Sequence, residues 1–286
     1  MTTEGTMMEQ PFFFLLEETR LFGMWHLPRN SVSSTAFLMS HPFGEEKLWS
    51  HRVYVSMARA LANRGHRVLR FDYRGAGDSS GSSADTSLAT HLDDMSMAFE
   101  MLVANQPSIE RVGLLGLRLG GAIAAVFAER MTGDSRLANG PLILWDPVMN
   151  GASYFHEQLR SNLTTQIAAY GAVQEDREAL RARIQKGGTV NVDGYEIGQP
   201  LFDSCARLDL LHDGPKQHQG PVLVVQIAAT DKQAQRADLE ALAGSYPRGV
   251  CMRAIEQPFW REIKTFYGRA DNLQRMTLDW LEHERV

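Results

Sequence analysis

The sequence predicts an α/β fold with a mostly parallel, twisted sheet and helices on both of its faces. Short apolar runs of strand length recur along the chain, and most are followed by segments whose apolar residues have helical spacing. Strands and helices that alternate in this way are joined by right-handed crossovers, so successive strands run parallel. Runs that are apolar throughout indicate strands that are covered on both faces.

The first half of the chain contains four predicted strands and two predicted helices. The helix at 49–64 follows from Val53, Met57 and Leu61, which recur at helical spacing, and Gly65 is a suitable stop. Glycines and serines mark 73–81 as a loop. The predicted elements are strands at 12–16 and 21–26, joined by the polar turn Glu17–Arg20, strands at 36–39 and 67–72, and helices at 49–64 and 88–105.

The second half continues the alternation around one long interruption. Between 145 and 221 the pattern gives way to helical patches and a short strand candidate at 189–192. We expect an insertion over the carboxyl edge of the sheet, a cap at 149–219, on a core formed by 1–148 and 220–286. The predicted core elements here are strands at 112–116, 141–145, 221–227 and 249–254, and helices at 120–131 and 273–284.

Composition narrows the class of protein. The 286 residues are 44% hydrophobic and 22% charged, which is typical of a soluble globular protein, and the net charge of -5 argues against nucleic acid as a partner. No segment approaches the roughly 20 apolar residues that span a bilayer. The run 12–16 is too short for a signal peptide and follows Glu4 and Glu9. We therefore expect a cytoplasmic protein without a membrane span.

Cysteine and histidine usage gives no sign of a metal or a cofactor. Cys205 and Cys251 are too few for a disulfide framework, and we expect two buried free thiols in a reducing compartment. No Cys/His spacing suggests a metal site. The glycines of 73–81 match a phosphate-binding loop poorly. The predicted partner is a small molecule, and the oligomeric state is open.

The stretch Gly116–Gly120 is the most informative part of the sequence. It reads Gly-Leu-Arg-Leu-Gly, which has the frame of a nucleophile elbow, Gly-x-Ser-x-Gly, with Arg118 in place of the serine. Arginine stays protonated at any ordinary pH and cannot attack a carbonyl carbon. The frame therefore predicts the scaffold of a hydrolase without its usual nucleophile.

The other parts of a catalytic triad are also incomplete. Asp231 follows the strand 221–227, where a triad acid would lie. The histidine would follow the last strand, but that segment reads Glu256-Gln257-Pro258-Phe259-Trp260, and the only later histidine is His283. A Ser-His-Asp mechanism is therefore excluded on the sequence.

The backbone of an oxyanion hole is independent of these side chains. Its N–H donors would be those of Leu119 and of a residue near Phe43. His41, in the same loop, is predicted to support this turn rather than to catalyse, although an unperturbed histidine there would titrate near neutrality. Trp260 is predicted to form a wall of the core or of the pocket.

Arg118 requires an anion, because an unpaired buried cation is costly. Glu45 and Glu46, on the neighbouring loop, are the first candidates, and Asp231 and Asp146 are the others. If carboxylates saturate the arginine, the site is a structural plug. If they leave it partly free, Arg118 and the oxyanion donors form a pocket for a carboxylate, phosphate or acyl oxygen.

Each acid has a structural and a chemical interpretation. Glu45 and Glu46 are either paired or solvated loop residues, or one of them is a general base or carboxylate nucleophile. Asp231 is interpreted as an acid that caps the following helix. Asp146 is interpreted as a turn residue at the end of a strand.

The chain resembles the alpha/beta-hydrolase superfamily, especially its serine-aminopeptidase-like and esterase branch, through its strand order, the loop 71–81 and the elbow frame. A closer resemblance is to the second type of hydrolase associated with the exosortase A system. The segments that carry it are His41–Glu46, Gly116–Gly120, Gly194–Glu196 and Pro258–Trp260. This resemblance implies that the elbow arginine is a property of the group, and it implies a bacterial setting linked to protein sorting and exopolysaccharide production.

Two functions remain open on the sequence. In the first, the protein acts on an acyl, ester, amide or thioester group without a serine, with Arg118 orienting the carbonyl and Glu45 or Glu46 activating water. Asp231 would be the remaining acid of this site. In the second, the protein is a non-catalytic, degenerate hydrolase that binds an anionic ligand or a pathway partner.

Overall fold

The computed structural model describes residues 7–16, 18–30, 32–104, 106–212, 214–261 and 268–286. Glu4, Glu17 and Asn105, on which parts of the sequence predictions rest, lie outside the described residues. The strands are β1 (Met7–Leu16), β2 (Thr19–Pro28), β3 (Thr35–Ser40), β4 (Val68–Phe71), β5 (Arg111–Leu117), β6 (Leu142–Trp145), β7 (Val190–Val192), β8 (Tyr195–Ile197), β9 (Val222–Ala228) and β10 (Gly249–Ile255).

The helices lie between these strands and confirm the predicted alternation. They are α1 (Glu45–Asn63), α2 (Leu88–Val103), α3 (Leu119–Arg130), α4 (Ser135–Ala138), α5 (Gly151–Tyr170), α6 (Arg177–Gln185), α7 (Gln199–Ala206), α8 (Ala237–Gly244) and α9 (Asp271–His283), with a 3-10 turn at Ser83–Asp85. None of the helices in these described ranges is long and apolar enough to cross a membrane.

Eight strands form one mostly parallel sheet, as the sequence predicts. The order is β1-β2-β4-β3-β5-β6-β9-β10. Strands β3 to β6, β9 and β10 pair in parallel, whereas β2 is antiparallel to both β1 and β4. Because parallel strands share one carboxyl edge, the residues after β3, β5, β6 and β9 meet there.

Alternate residues of each central strand enter two separate cores. In β3, Leu38 packs into the core that contains residues of α2 and α3, whereas Phe37 and Met39 pack into the core that contains residues of α1 and α9. This alternation explains why the strands read as continuous apolar runs, since both faces are covered.

The segment between β6 and β9 contains α5, α6, α7 and the β7-β8 hairpin. It packs on loops at the carboxyl edge of the sheet. Phe43 contacts both Phe155 of α5 and Tyr195 of β8, with ring centroids 6.2 and 6.1 Å apart. The segment therefore overlies the elbow side of the sheet, while the division into core and cap at 149 and 219 stays a prediction.

The start of α1, the presence of α8 and the burial of one cysteine differ from the predictions. Helix α1 begins at Glu45, not near 49, because Gly44 takes a left-handed φ of 61° and starts the helix early. Helix α8 was not predicted. Cys205 is buried as expected, but Cys251 is only partly buried, because its strand β10 is the last in the sheet.

Candidate active site

The elbow has the strained backbone that its sequence frame requires. Arg118 lies between β5 and α3 with φ 53° and ψ -123°, a conformation that side-chain-bearing residues rarely adopt. A Cβ atom on Gly116 would collide with the Gly120 backbone, and one on Gly120 would collide with the carbonyl groups of Ser40 and His41. Both glycines are therefore required for α3 to approach the ends of β5 and β3 this closely.

Arg118 is held between two carboxylates and two aromatic rings. Its Nε donates to Glu46 Oε1 at 3.2 Å, and its Nη1 lies 3.4 Å from the carbonyl oxygen and 3.5 Å from Oδ1 of Asp146. The guanidinium carbon is 5.2 Å from the ring of Trp260 and 5.8 Å from that of Tyr154. Burial opposes the charge, but the two carboxylates outweigh burial, and the pKa of Arg118 is raised.

Glu46 is buried behind the arginine. Its second carboxylate oxygen accepts a hydrogen bond of 3.0 Å from the hydroxyl of Tyr154, so both oxygens are engaged. Burial raises the pKa of Glu46, although Arg118 and Tyr154 act in the opposite direction. Glu46 is not among the residues that line the open cleft described below.

Asp146 connects Arg118 to a second arginine. It follows β6 with a left-handed φ of 40°, and its Oδ2 accepts the N–H of Ile227 at 3.1 Å. Its Oδ1 accepts a 2.8 Å bond from Arg236, which also forms a bidentate pair with Asp238. Burial raises the pKa of Asp146, while Arg118 and Arg236 lower it in part. Asp146 is thus both a residue at the end of a strand and one of the partners that the sequence offered to Arg118, whereas its pair with Arg236 was not predicted.

An open cleft of about 640 Å³ lies in front of Arg118. Its volume is in the range of small-molecule sites. The lining is more polar than apolar, with three arginines and the three carboxylates Asp146, Glu157 and Asp238 beside a set of apolar and aromatic residues. The apolar wall comprises Pro147, Val148, Met149, Ile227, Pro258 and Trp260, and the cations are Arg118, Arg236 and Arg261. No histidine lines the cleft within the described ranges.

Arg118 keeps unused hydrogen-bonding capacity at this cleft. A guanidinium has five N–H donors, and the bonds to Glu46 and Asp146 involve Nε and Nη1 alone. Within the part of the chain that the structure describes, Nη2 has no acceptor. The side chain of Arg118 is 15% exposed. The arginine is thus positioned by carboxylates but not saturated by them.

The oxyanion donors are present, but the space beside them is small. Leu119 is the first residue of α3, and among the described residues no acceptor binds its N–H or that of Phe43. The cavity lined by Phe43, Leu119 and Tyr195 holds only about 20 Å³, which is room for about one water molecule. Substrate-sized space therefore lies on the Arg118 side of the elbow and not on this side.

His41 does not line the Arg118 cleft, and its supporting role stays a prediction. Its Nδ1 lies 3.0 Å from the carbonyl oxygen of Pro42, and its Nε2 lies 3.5 Å from Oδ1 of Asp72. Burial and the charge of Lys47 lower the pKa of His41, against the opposing effect of Asp72. His41 is therefore not the unperturbed histidine that would titrate near neutrality.

Two other acids do not take the predicted places. Asp231 is exposed in the turn after β9 and is not an ion-pair partner of Arg118; helix α8 begins at Ala237 with Arg236 at its N-cap, so Asp231 does not cap it. Glu45 begins α1, and its charge adds to the rise that burial causes in the pKa of Tyr195. Glu45 and Glu46 are helical rather than loop residues.

The place of the triad histidine is occupied by a structural acid. Glu256 directly follows β10, and its Oε1 accepts the N–H of Asn272 at 2.7 Å, at the start of α9. This carboxylate binds a helix N-terminus, where a negative charge is favourable. The segment thus supplies no imidazole to the elbow.

Comparison with known families decides the class. Residues 37–183, just over half of the chain, match the family described as Hydrolase_4, serine aminopeptidase, S33. The chain belongs to this family. The match includes the elbow and the first half of the segment between β6 and β9. Comparison with curated proteins gives no match.

Solved structures show the same fold. Est1E from Butyrivibrio proteoclasticus, solved with ferulic acid, aligns with a TM-score of 0.68 at 15% identity over 96% of this chain and 98% of its own. The enol-lactonase from Burkholderia xenovorans LB400 aligns with a TM-score of 0.61 at 16% identity, over 94% and 99% of the two chains. Proline iminopeptidase from Mycobacterium smegmatis aligns with a TM-score of 0.57 at 16% identity, over 96% of this chain and 98% of its own. The chain has the alpha/beta-hydrolase fold.

Sequence reasoning missed two residues of the site. Tyr154 lies on α5, more than 30 residues from the elbow along the chain, and no local motif marks it. Arg236 follows β9 at the end of the polar stretch Asp231–Arg236. Asp231 was considered as a partner of Arg118, whereas Arg236 was not. A search for partners of Asp146, instead of Arg118 alone, would have pointed to Arg236.

Proposed function

We propose that this alpha/beta-hydrolase-fold protein binds a small acyl or aryl carboxylate in the Arg118 cleft and does not cleave it. The observation that carries the proposal is the incompletely bonded guanidinium of Arg118, which lines a cleft of about 640 Å³. Its unused N–H groups fit a carboxylate oxygen. The Trp260 ring and the apolar wall fit the organic part of such a ligand.

The carboxylates around Arg118 are poorly placed to act as bases. Both oxygens of Glu46 and of Asp146 accept hydrogen bonds, and Glu46 lies outside the cleft lining. Asp238 is occupied by Arg236, and Glu157 is exposed on α5. A general base requires a free acceptor within hydrogen-bonding reach of the proton it takes. This geometry favours binding over hydrolysis.

Calorimetric titration with benzoate and ferulate tests the binding function. We expect saturable binding by the wild type and at least about tenfold weaker binding by Arg118→Gln, which loses the charge-assisted donors. Arg160→Gln, an exposed arginine on α5, is the matched control and should bind as the wild type does. Equal affinity in the wild type and Arg118→Gln, or heats from neither ligand, would contradict the proposal.

Hydrolysis without a serine is the second candidate, and the raised pKa of Glu46 favours it. A largely buried carboxyl group with a raised pKa keeps its proton to a higher pH than a free carboxyl group and can serve as a proton donor or acceptor. Hydrolysis of p-nitrophenyl acetate and of an acyl thioester by the wild type, abolished in Glu46→Gln, would establish this function. Turnover no faster than in buffer would leave binding as the function.

The finer setting also belongs to the proposal. We propose membership of the exosortase A-associated group, a bacterial and cytoplasmic protein, and a cap at 149–219 that selects the ligand. The segments His41–Glu46 and Pro258–Trp260 support the group, and contacts of Tyr154 with Glu46 and Arg118 support the role of the cap. Co-purification of the tagged protein with sorting components would test the setting.

A further inference from the structure

A second cleft, here called the Arg70 cleft, lies between α1 and the sheet. It measures about 620 Å³ and shares no lining residue with the Arg118 cleft. Its charged residues and histidines come from β1, α1, β4 and the loops that follow β3 and β4. They are Glu9, His41, Lys47, His51, Arg59, Arg70, Asp72 and Asp78.

Arg70 is the cation of this cleft that lacks a carboxylate partner. Its Nε donates to Nε2 of His26 at 2.9 Å. Among the described residues, no carboxylate oxygen lies within 4.0 Å of its guanidinium, and neither terminal nitrogen has an acceptor. Burial lowers the pKa of Arg70. A largely buried guanidinium without a carboxylate bonded to it is a costly arrangement.

The two nearest acids are committed to other cations. Asp72 pairs with Lys47 at 2.7 Å, and Glu9 forms two bonds with Arg59 at 2.8 and 2.9 Å. Gly77 fixes the first pair, because a Cβ atom there would collide with both Asp72 and Lys47. Both acids raise the pKa of Arg70 in part through their charge, but neither forms an ion pair with it.

The neighbouring histidines cannot supply a negative charge to Arg70, and His26 contacts Arg70 without lining the cleft. Nε2 of His26 accepts the bond from Arg70, which places its proton on Nδ1, 3.1 Å from Glu9. His51 lies on α1 and lines the same cleft. Asp78 is exposed, and its backbone N–H donates to Asp72 at 3.0 Å. Glu9, Asp72 and Asp78 also line the cleft, but among the described residues none of these carboxylates accepts a hydrogen bond from Arg70.

We propose that the Arg70 cleft binds the oxyanion, a phosphate or a carboxylate, of a small polar ligand. The planar guanidinium offers its two terminal nitrogens as a fork that matches two oxygens of such a group. His51 and Lys47 lie close enough to line the same space, and the volume suits a ligand of metabolite size. The site is independent of the Arg118 cleft and of the function proposed for it.

Titration with inorganic phosphate and with acetate, at constant ionic strength, tests this site. We expect phosphate, acetate or both to bind saturably to the wild type, and Arg70→Gln to weaken that binding at least about tenfold. Arg67→Gln, three residues earlier and outside the cleft, should bind as the wild type does. Acetate is titrated in the Arg118→Gln background, because the Arg118 cleft is itself proposed to bind a carboxylate. The anion that binds more tightly identifies the ligand as a phosphate ester or a carboxylate.

A second measurement uses the wild type alone, so its result does not depend on whether Arg70→Gln folds. The bound anion should slow the modification of Arg70 by phenylglyoxal, read by mass spectrometry, without slowing that of Arg67. Binding of neither anion at about 10 mM, binding that survives Arg70→Gln, or equal protection of both arginines would overturn the proposal.

Discussion

Arg118 combines a strained backbone with a buried charge, and its neighbours stabilise both. The glycines on either side make the strained turn possible, while Glu46 and Asp146 compensate for the loss of hydration of the guanidinium. The elbow frame and the absence of a triad were predictable, because both are local in sequence. The choice of Asp146 and Arg236 over Asp231 was not, because it depends on where the strands end in space.

Arg118→Met should destabilise the protein by about 3 kcal/mol at neutral pH, because it leaves Glu46 buried with Tyr154 as its remaining partner. The loss should shrink as the pH falls toward 5. Burial raises the pKa of Glu46, so the folded state binds the proton more tightly than the unfolded state, and stability rises as the carboxylate is neutralised. Urea denaturation of the wild type and of Arg118→Met at neutral pH and at pH 5 measures the two losses in the free energy of unfolding.

Two controls define this result. Arg130→Met removes an exposed arginine, 3.8 Å from Asp93, and should change stability little. Adding Glu46→Gln to Arg118→Met should restore part of the loss at neutral pH. An equal loss in Arg118→Met at both pH values, unaffected by Glu46→Gln, would show that the ion pair does not stabilise the fold.

The elements were predicted as far as their apolar patterns allowed. The strands of the sheet core follow from apolar runs, and α9 follows from its amphipathic spacing. The start of α1 was missed because Glu45 and Glu46 are polar and because a glycine in a left-handed conformation can begin a helix as well as end one. Helix α8 is short and rich in alanine, and its N-cap, Arg236, is not a capping residue type.

The close contact between α3 and the end of β3 predicts a steric test. Gly120→Ala places a methyl group against the carbonyl groups of Ser40 and His41, which are backbone atoms that cannot move aside. We expect a loss of about 3 kcal/mol or more, measured by urea denaturation. Gly133→Ala, where no atom lies within 4 Å of the added carbon, is the matched control. Equal stability of the two variants would refute the close packing of the elbow.

At the scale of the molecule, one sheet carries two separate charged clefts. The Arg118 cleft lies at the carboxyl edge, where the fold places ligands, and sequence reasoning located that edge through the elbow. The Arg70 cleft lies between α1 and the strands β2 and β4 and was not predicted. Its residues are distant in sequence and belong to no local motif.

Buried neutral histidines predict how the stability of the whole fold depends on pH. Burial lowers the pKa of His91 to about 3 and that of His218 to about 4. Between about pH 6.5 and 4 the unfolded state binds protons that the folded state does not, so the free energy of unfolding falls as the pH falls. Each histidine contributes up to about 3 kcal/mol to this loss.

Replacement of His91 by phenylalanine tests this dependence. The buried imidazole ring packs against the ring of Tyr73 with centroids 4.7 Å apart, a contact that a phenyl ring can also make. The variant should therefore lose stability less steeply than the wild type below pH 6.5. Exposed His156→Phe is the control. Denaturation midpoints measured from pH 7 to 4 give the dependence of stability on pH for each protein. The same dependence in the wild type and His91→Phe would contradict a lowered pKa of His91.

The most direct test of a ligand at Arg118 is the NMR resonance of its own Nε–Hε group during a titration with benzoate. We predict a saturable shift of this resonance, with the same midpoint as the calorimetric binding curve, since the ligand oxygen bonds the same guanidinium. A resonance that stays in place while benzoate binds elsewhere, or while the protein hydrolyses an ester, would contradict the account.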